Sequence, residues 1–184
     1  MSEAVANITF TDWAEDEQRR ERRTEFVGGR AYLMAGGTER HDLAAGLLYE
    51  TLAPTARAQG CRPFFGNRIV RTATGSGYYP DVMVVCRPAG DTLFETDPAL
   101  VIEVLFPSTA DTDRREKAIA FASGNALRML LLLDPLTPRI ESARIVSGRI
   151  AGWDVFGPGD TIDTGFGVIR IDELYAQLDS TATT

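Results

Sequence analysis

An α/β (α+β) fold is predicted for this chain of 184 residues by three observations. Apolar runs closed by turn residues recur at Val82-Met83-Val84-Val85, at Leu100-Val101-Ile102-Glu103-Val104-Leu105 and at Met129 to Leu133. They have the length of buried strands, apolar on both faces. Leu43, Leu47, Leu48 and Leu52 recur instead at helical spacing. The order read along the chain is helix, hairpin, helix, strands, helix, strands, with no repeat, low-complexity tract or interdomain linker. A single domain over 1–184 is expected, with 1–24 as an N-terminal helical arm and 179–184 as a loose tail.

Each element has its own local signal. Asp12 followed by Glu15 reads as a capping box, so a short charged helix is placed over Trp13 to Arg23. Gly28-Gly29 between Phe26-Val27 and Ala31-Tyr32-Leu33-Met34 turns Glu25 to Met34 into a hairpin. Arg40 to Thr51 is a helix that Pro54 ends or follows with a second short one. Pro63 to Thr72 and Tyr78 to Cys86 form a strand pair around Thr74-Gly75-Ser76-Gly77. Pro107 closes the run at 100–105, Ser108 to Asp113 caps a helix over Arg114 to Ala122, and Gly124-Asn125 stops it. After the strand ending at Asp134-Pro135 come strands at Arg139 to Ile145, Arg149 to Phe156 and Val168 to Ile171, then a helix over Asp172 to Leu178.

Composition restricts the function classes. Hydrophobic residues at 44% and charged ones at 24% are those of a globular protein. Cys61 and Cys86 have neither metal-ligand spacing nor the density of a disulfide framework, so a reducing cytoplasm is expected. The longest apolar run is far short of a membrane span. A formal net charge of −7 argues against holding duplex DNA by general electrostatics.

Of nineteen basic side chains, eighteen are arginine and one is Lys117. Arginine is a planar, permanently charged fork, whereas lysine is a compact point charge suited to touching a water or a scissile phosphate. The plain alternative is a surface residue paired with Asp113 at helical spacing, worth only ~0.3–0.5 kcal/mol. Two carboxylates also emerge from apolar strands: Asp81 after Tyr79-Pro80, and Glu103 within Val-Ile-Glu-Val-Leu. Burying an unpaired charge costs several kcal/mol, so each needs a cation, an arginine or a raised pKa. Oxygen ligands of this kind suit Mg²⁺ or Mn²⁺, and a nearby ammonium would orient an attacking water or neutralise charge developing on phosphorus. The set points to metal-assisted phosphodiester hydrolysis.

Tyr-Pro-Asp-Val at 79–82, Leu-Val-Ile-Glu-Val-Leu-Phe-Pro-Ser-Thr at 100–109 and Asp113-Arg-Arg-Glu-Lys117 together resemble the Uma-two family of putative restriction endonucleases, within the PD-(D/E)XK nuclease superfamily. Thr24 to Arg30, His41 and Leu131-Leu132-Leu133-Asp134-Pro135 extend the resemblance over nearly the whole chain. It implies a restriction-endonuclease-like core, a mixed central β-sheet flanked by helices. It also implies Asp81, Glu103 and the Val104 backbone carbonyl as metal ligands, Lys117 as the catalytic lysine, and Glu25 and His41 as possible additional contributors. The residue two after Glu103 is Leu105, so the lysine comes from the following helix, as in the family's own variant. The chain departs from the family pattern at Phe106, where serine is usual, at Asn125-Ala126 and at Met129-Leu130.

The expected activity is an Mg²⁺- or Mn²⁺-dependent endonuclease on nucleic acid, most readily DNA, without a membrane partner. A homodimer would set two sites against two strands. A nuclease-fold binding or assembly module and a small-phosphoester hydrolase are the alternatives. Arg68 and Arg71 are not read as a phosphate clamp, and Trp13 and Trp153 are read as packing residues.

Overall fold

The computed structural model describes residues 8–34, 36–88, 90, 92–106 and 116–181. Its centre is a six-stranded mixed sheet, in spatial order β11-β10-β9-β8-β6-β3. The strands are β3 (Arg62–Phe65), β6 (Val82–Val85), β8 (Leu100–Val104), β9 (Met129–Asp134), β10 (Arg139–Val146) and β11 (Arg149–Phe156). The β8–β9 pair is parallel and the others are antiparallel. The three apolar runs thus lie side by side as β6, β8 and β9, where both faces are covered.

Alternation along these strands separates two apolar layers. Val82, Val84, Leu100, Ile102, Leu131 and Leu133 pack against α2 (Glu39–Ala58) and the C-terminal helix α4 (Ile171–Thr181). Met83, Val85, Val101 and Leu130 face the other way, onto Phe121 of the short helix α3 (Ala118–Ala122) and onto Val70 and Tyr78. Those last two belong to a second, five-stranded sheet, β2-β1-β5-β4-β7. It is built from β1 (Thr24–Val27), β2 (Arg30–Leu33), β4 (Ile69–Arg71), β5 (Gly77–Tyr78) and β7 (Phe94–Glu95). A β12–β13 ribbon (Thr161–Asp163, Val168–Arg170) covers the α2 side.

The expected strand pair over 63–72 and 78–86 is therefore divided between sheets. Its outer halves, β3 and β6, pair in the six-stranded sheet, and its inner halves, β4 and β5, pair in the five-stranded one. The break falls at Gly66, whose φ of +60° suits glycine, and at Tyr79-Pro80-Asp81. The Gly66 amide donates to the Asp81 carbonyl at 2.9 Å, so Asp81 stands where the chain crosses from one sheet to the other.

Other expectations are corrected. The first helix, α1, is Phe10–Glu17 and not Trp13 to Arg23; its cap is Thr9, whose hydroxyl accepts from the Asp12 amide while Asp12 reaches back. The capping box lies one turn upstream because Phe10 and Trp13 must be buried against Phe26. Helix α2 runs through Pro54 to Ala58, the lost amide bond being offset by burial of Leu48, Leu52, Ala53 and Ala56. Short β7 and β12 carry no periodicity long enough to read. The C-terminal helix reaches Thr181, past the expected start of the tail at 179. The predicted cap at 108–113 and the Asp113 partner of Lys117 lie outside the described residues.

Cys61 and Cys86 form a disulfide, although two cysteines do not read as a disulfide framework. The cause is register: Arg62 pairs with Val85 at the end of the β3–β6 ladder, which sets the two cysteines opposite each other one step beyond, with Cα atoms 4.2 Å apart. Spacing in sequence does not reveal such a pairing.

Candidate active site

The β6–β8 register fixes the two strand carboxylates. Val82 pairs with Ile102, so the next position sets Asp81 opposite Glu103. By alternation Glu103 shares the face of Val101, the side that carries Tyr78 and Phe121. Glu103 is buried at 4% exposure, and its Oε1 is shielded from solvent. Asp81 is half-buried at the crossing point, and its Oδ2 accepts the Val104 amide at 2.8 Å. The two acids are thereby tied to one strand end through both register and hydrogen bond.

Lys117, immediately before α3, points onto the same side. Its Nζ lies 2.6 Å from Glu25 Oε1 and 5.9 Å from the centre of the Tyr78 ring, with both charged side chains mostly buried. Glu25 reaches it from β1, so the structure joins the lone lysine to a residue of the first hairpin and not only to its own helix. Burial pushes the Tyr78 hydroxyl up to about 12, and the carboxylates of Glu116 and Glu25 act in the same direction. At neutral pH it is an uncharged phenol beneath the ammonium.

His41 stands in the first turn of α2, whose cap is the Thr38 hydroxyl. Its Nε2 is 3.3 Å from Asp81 Oδ2 and its Nδ1 is 3.2 Å from Asp42 Oδ1. Burial pulls the imidazole toward the neutral form, but the Asp81 and Asp42 carboxylates outweigh it and hold the pKa above the ordinary 6.5. The Phe106 ring, half-buried, lies 6.0 Å from the His41 ring. Asp42 was not foreseen as a site neighbour, although its place beside His41 was the available signal.

Among the described residues, no three His, Cys, Asp or Glu side chains converge as a metal-holding group. Asp81 and Glu103 nevertheless form a hard-oxygen pair at one strand end, which fits a small divalent cation that keeps water and substrate oxygens in its remaining positions. Arg68 and Arg71 are not joined in a clamp: Arg68 bonds Glu95, and Arg71 lies over Phe10, 4.7 Å from the ring centre. Trp13 is fully buried and Trp153 packs against the Phe121 layer. No helix among the described residues is long and apolar enough to cross a membrane.

The fold is similar to the crystal structure of a putative nuclease belonging to DUF820 from Anabaena variabilis, with a TM-score of 0.76, 15% identity, and coverage of 93% of this chain and 99% of that one. Two Synechocystis proteins are similar in sequence. Uncharacterized protein slr1290 is 30% identical over 128 residues, 68% of this chain and 67% of the relative. Uncharacterized protein sll1609 is 26% identical over 147 residues, 77% and 83% of the two chains. The model of the Uma2 family, described as a putative restriction endonuclease, matches residues 9–167, and with that match spanning both strand carboxylates and Lys117 the chain belongs to the Uma2 family.

Proposed function

We propose that this chain is a divalent-metal-dependent endonuclease that hydrolyses phosphodiester bonds in DNA, with Asp81, Glu103 and Lys117 as its catalytic residues. The observation that carries the proposal is the meeting of Asp81 and Glu103 across the β6–β8 register, with the Lys117–Glu25 pair on the same side of the sheet. Family membership supports the nuclease class. Asp81, Glu103 and the Val104 carbonyl would hold Mg²⁺ or Mn²⁺. Such an ion, when bound, lowers the pKa of a water and offsets charge on the phosphate oxygens.

The chain's own groups supply the rest. The Val104 amide and His41 fix the Asp81 carboxylate through Oδ2. Glu25 holds the Lys117 ammonium in place, and the ammonium orients the attacking water and opposes negative charge on the phosphorane oxygens. His41 acts on the reaction through Asp81 as a positioning residue. A homodimer is the proposed assembly, tested by light scattering. A cytoplasmic location is proposed for an enzyme acting on DNA, although the disulfide removes the cysteine argument for it.

The test is cleavage of supercoiled plasmid and of single-stranded DNA by wild type and Lys117→Met, with Mg²⁺, with Mn²⁺ and with EDTA. Metal-dependent cutting that falls at least ~100-fold in the variant is expected, the loss typical of removing one transition-state charge partner. Cutting that persists in EDTA, or an equally active variant, would sink the proposal. A binding module is the second reading, favoured by the engagement of Asp81 Oδ2 by His41 and the Val104 amide. Divalent-ion binding without cleavage of any nucleic acid would select it.

A further inference from the structure

Two accessible aromatic rings stand at the site, one at each of its ion pairs. Tyr32 lies directly opposite Glu25 in the β1–β2 register, so the two side chains share one face, and Tyr32 is 40% exposed. Glu25 is the residue that holds Lys117. Phe106 lies beside His41, which holds Asp81, and is only two residues beyond Val104. Neither ring belongs to the three buried apolar clusters.

Among the described residues, four arginines near the site are, by contrast, engaged within the protein. Arg40, next to His41, donates to the Pro135 carbonyl at 2.5 Å, the Leu178 carbonyl at 3.1 Å and Asp179 at 2.7 Å. Arg23 donates to the Gly66 carbonyl at 2.8 Å and lies 5.0 Å from the centre of the Tyr79 ring. Arg62 and Arg68 both bond Glu95. With a net charge of −7, these side chains do not supply the cationic track that holds a duplex by its phosphates. Rings next to a phosphodiester-cleaving centre supply the stacking platforms of single-strand binding: bases that are already unpaired stack on aromatic faces, and every base has a π-face to offer.

We infer that the substrate of this site is an unpaired DNA strand, with Tyr32 and Phe106 as the residues that select it by stacking on bases flanking the scissile phosphate. The inference rests on the nuclease reading for the scissile step and on the two rings alone for strand selection. An unpaired strand brings its bases to the rings at no cost in unstacking a helix, whereas a duplex keeps its base faces covered. Tyr32 selects on the Glu25–Lys117 side and Phe106 on the His41–Asp81 side.

The test is fluorescence anisotropy of a labelled single-stranded 12-nucleotide DNA, the duplex of the same sequence and the same strand as RNA, once with EDTA and once with Ca²⁺. Expected is binding of the single strand at least tenfold tighter than the duplex at the same salt concentration. Tyr32→Ala and Phe106→Ala are each expected to weaken single-strand binding about tenfold, and Tyr32→Phe to retain it. Circular dichroism and melting confirm that each variant is folded. The inference is overturned by a duplex or RNA bound as tightly as the single DNA strand, by no single-strand binding, or by folded alanine variants that bind like wild type. Ring-dependent binding without cleavage in Mg²⁺ would remove the nuclease reading and leave strand selection standing; cleavage with a duplex preference would do the reverse.

Discussion

Glu95 and the Asp81–Glu25 region are both places where carboxylates meet cations inside the fold, yet they are built in opposite ways. Glu95 is 3% exposed and takes both prongs of Arg62, one on each oxygen at 2.9 Å, together with Nε and Nη2 of Arg68 at 3.2 and 3.0 Å on Oε1. Two planar forks surround one carboxylate and tie β3 to the β4–β7 pair across the sheet boundary. At the site, Glu25 meets a lysine and Asp81 meets an imidazole and one backbone amide. A fork saturates an oxygen pair and fixes its plane; a point charge balances it and leaves directions open for water, metal or phosphate. The chain uses arginine where carboxylate and strand are to be locked, and its single lysine where chemistry is proposed.

Lys117→Arg is the sharpest way to break that comparison. It keeps the charge opposite Glu25 but replaces a mobile ammonium with a fork that takes both carboxylate oxygens. Cleavage is expected to fall ~100-fold or more, equivalent to about 3 kcal/mol of transition-state stabilisation, with the melting temperature within a few degrees of wild type. Undiminished cutting by a folded Lys117→Arg protein would mean that charge alone suffices there and that the distinction drawn from the sequence is empty.

Glu95→Gln tests the other side. It leaves two partly buried guanidinium groups without a counter-charge, for which a loss of about 3 kcal/mol is expected in chemical denaturation. The effect has a pH signature. Burial alone would raise the Glu95 carboxyl, but the hydrogen bonds and charges of Arg62 and Arg68 outweigh it and hold its pKa below the ordinary value of 4.5. A carboxylate depressed in the folded state contributes stability above its unfolded pKa and loses that contribution as pH falls from there through its folded pKa. Wild type should therefore lose stability below about pH 4.5 more steeply than Glu95→Gln. Parallel acid profiles would show that the forks do not set the charge state of Glu95.

This division was partly legible in the sequence. Asp81 and Glu103 stand out because a carboxylate in an apolar strand demands an explanation, and Lys117 because it is alone among arginines. The Lys117–Glu25 contact was not legible, since it joins an early hairpin to a late helix and no local pattern reports which sheet that hairpin enters. The sheet boundary at Gly66 and at Asp81 was hidden for a related reason: β4 and β5 are three and two residues long, too short for alternation to separate them from β3 and β6. The Cys61–Cys86 bond depends on the same unread register. Tyr32 was visible only as a hairpin residue until its place opposite Glu25 was fixed by the two-residue Gly28-Gly29 turn.

The smallest effect is expected from the converse exchange, Arg62→Lys. The charge beside Glu95 is kept and Arg68 remains, so no oxygen is left without a cation. What is lost is one of two parallel hydrogen bonds and the guanidinium face that lies 5.3 Å from the centre of the Phe64 ring. A destabilisation of about 1 kcal/mol is expected, a melting shift of ~2–4 °C for a domain of this size, with cleavage unchanged because Arg62 takes no part in the proposed site. Set beside Lys117→Arg, the pair of exchanges forms a crossed test: fork to point charge should cost stability and spare activity at Glu95, while point charge to fork should spare stability and cost activity at Glu25. If Arg62→Lys instead reduces cleavage as strongly as Lys117→Arg does, the two carboxylate centres are mechanically one unit through the β3–β6 ladder that runs from Arg62 to Asp81, and the separation of locking from chemistry fails.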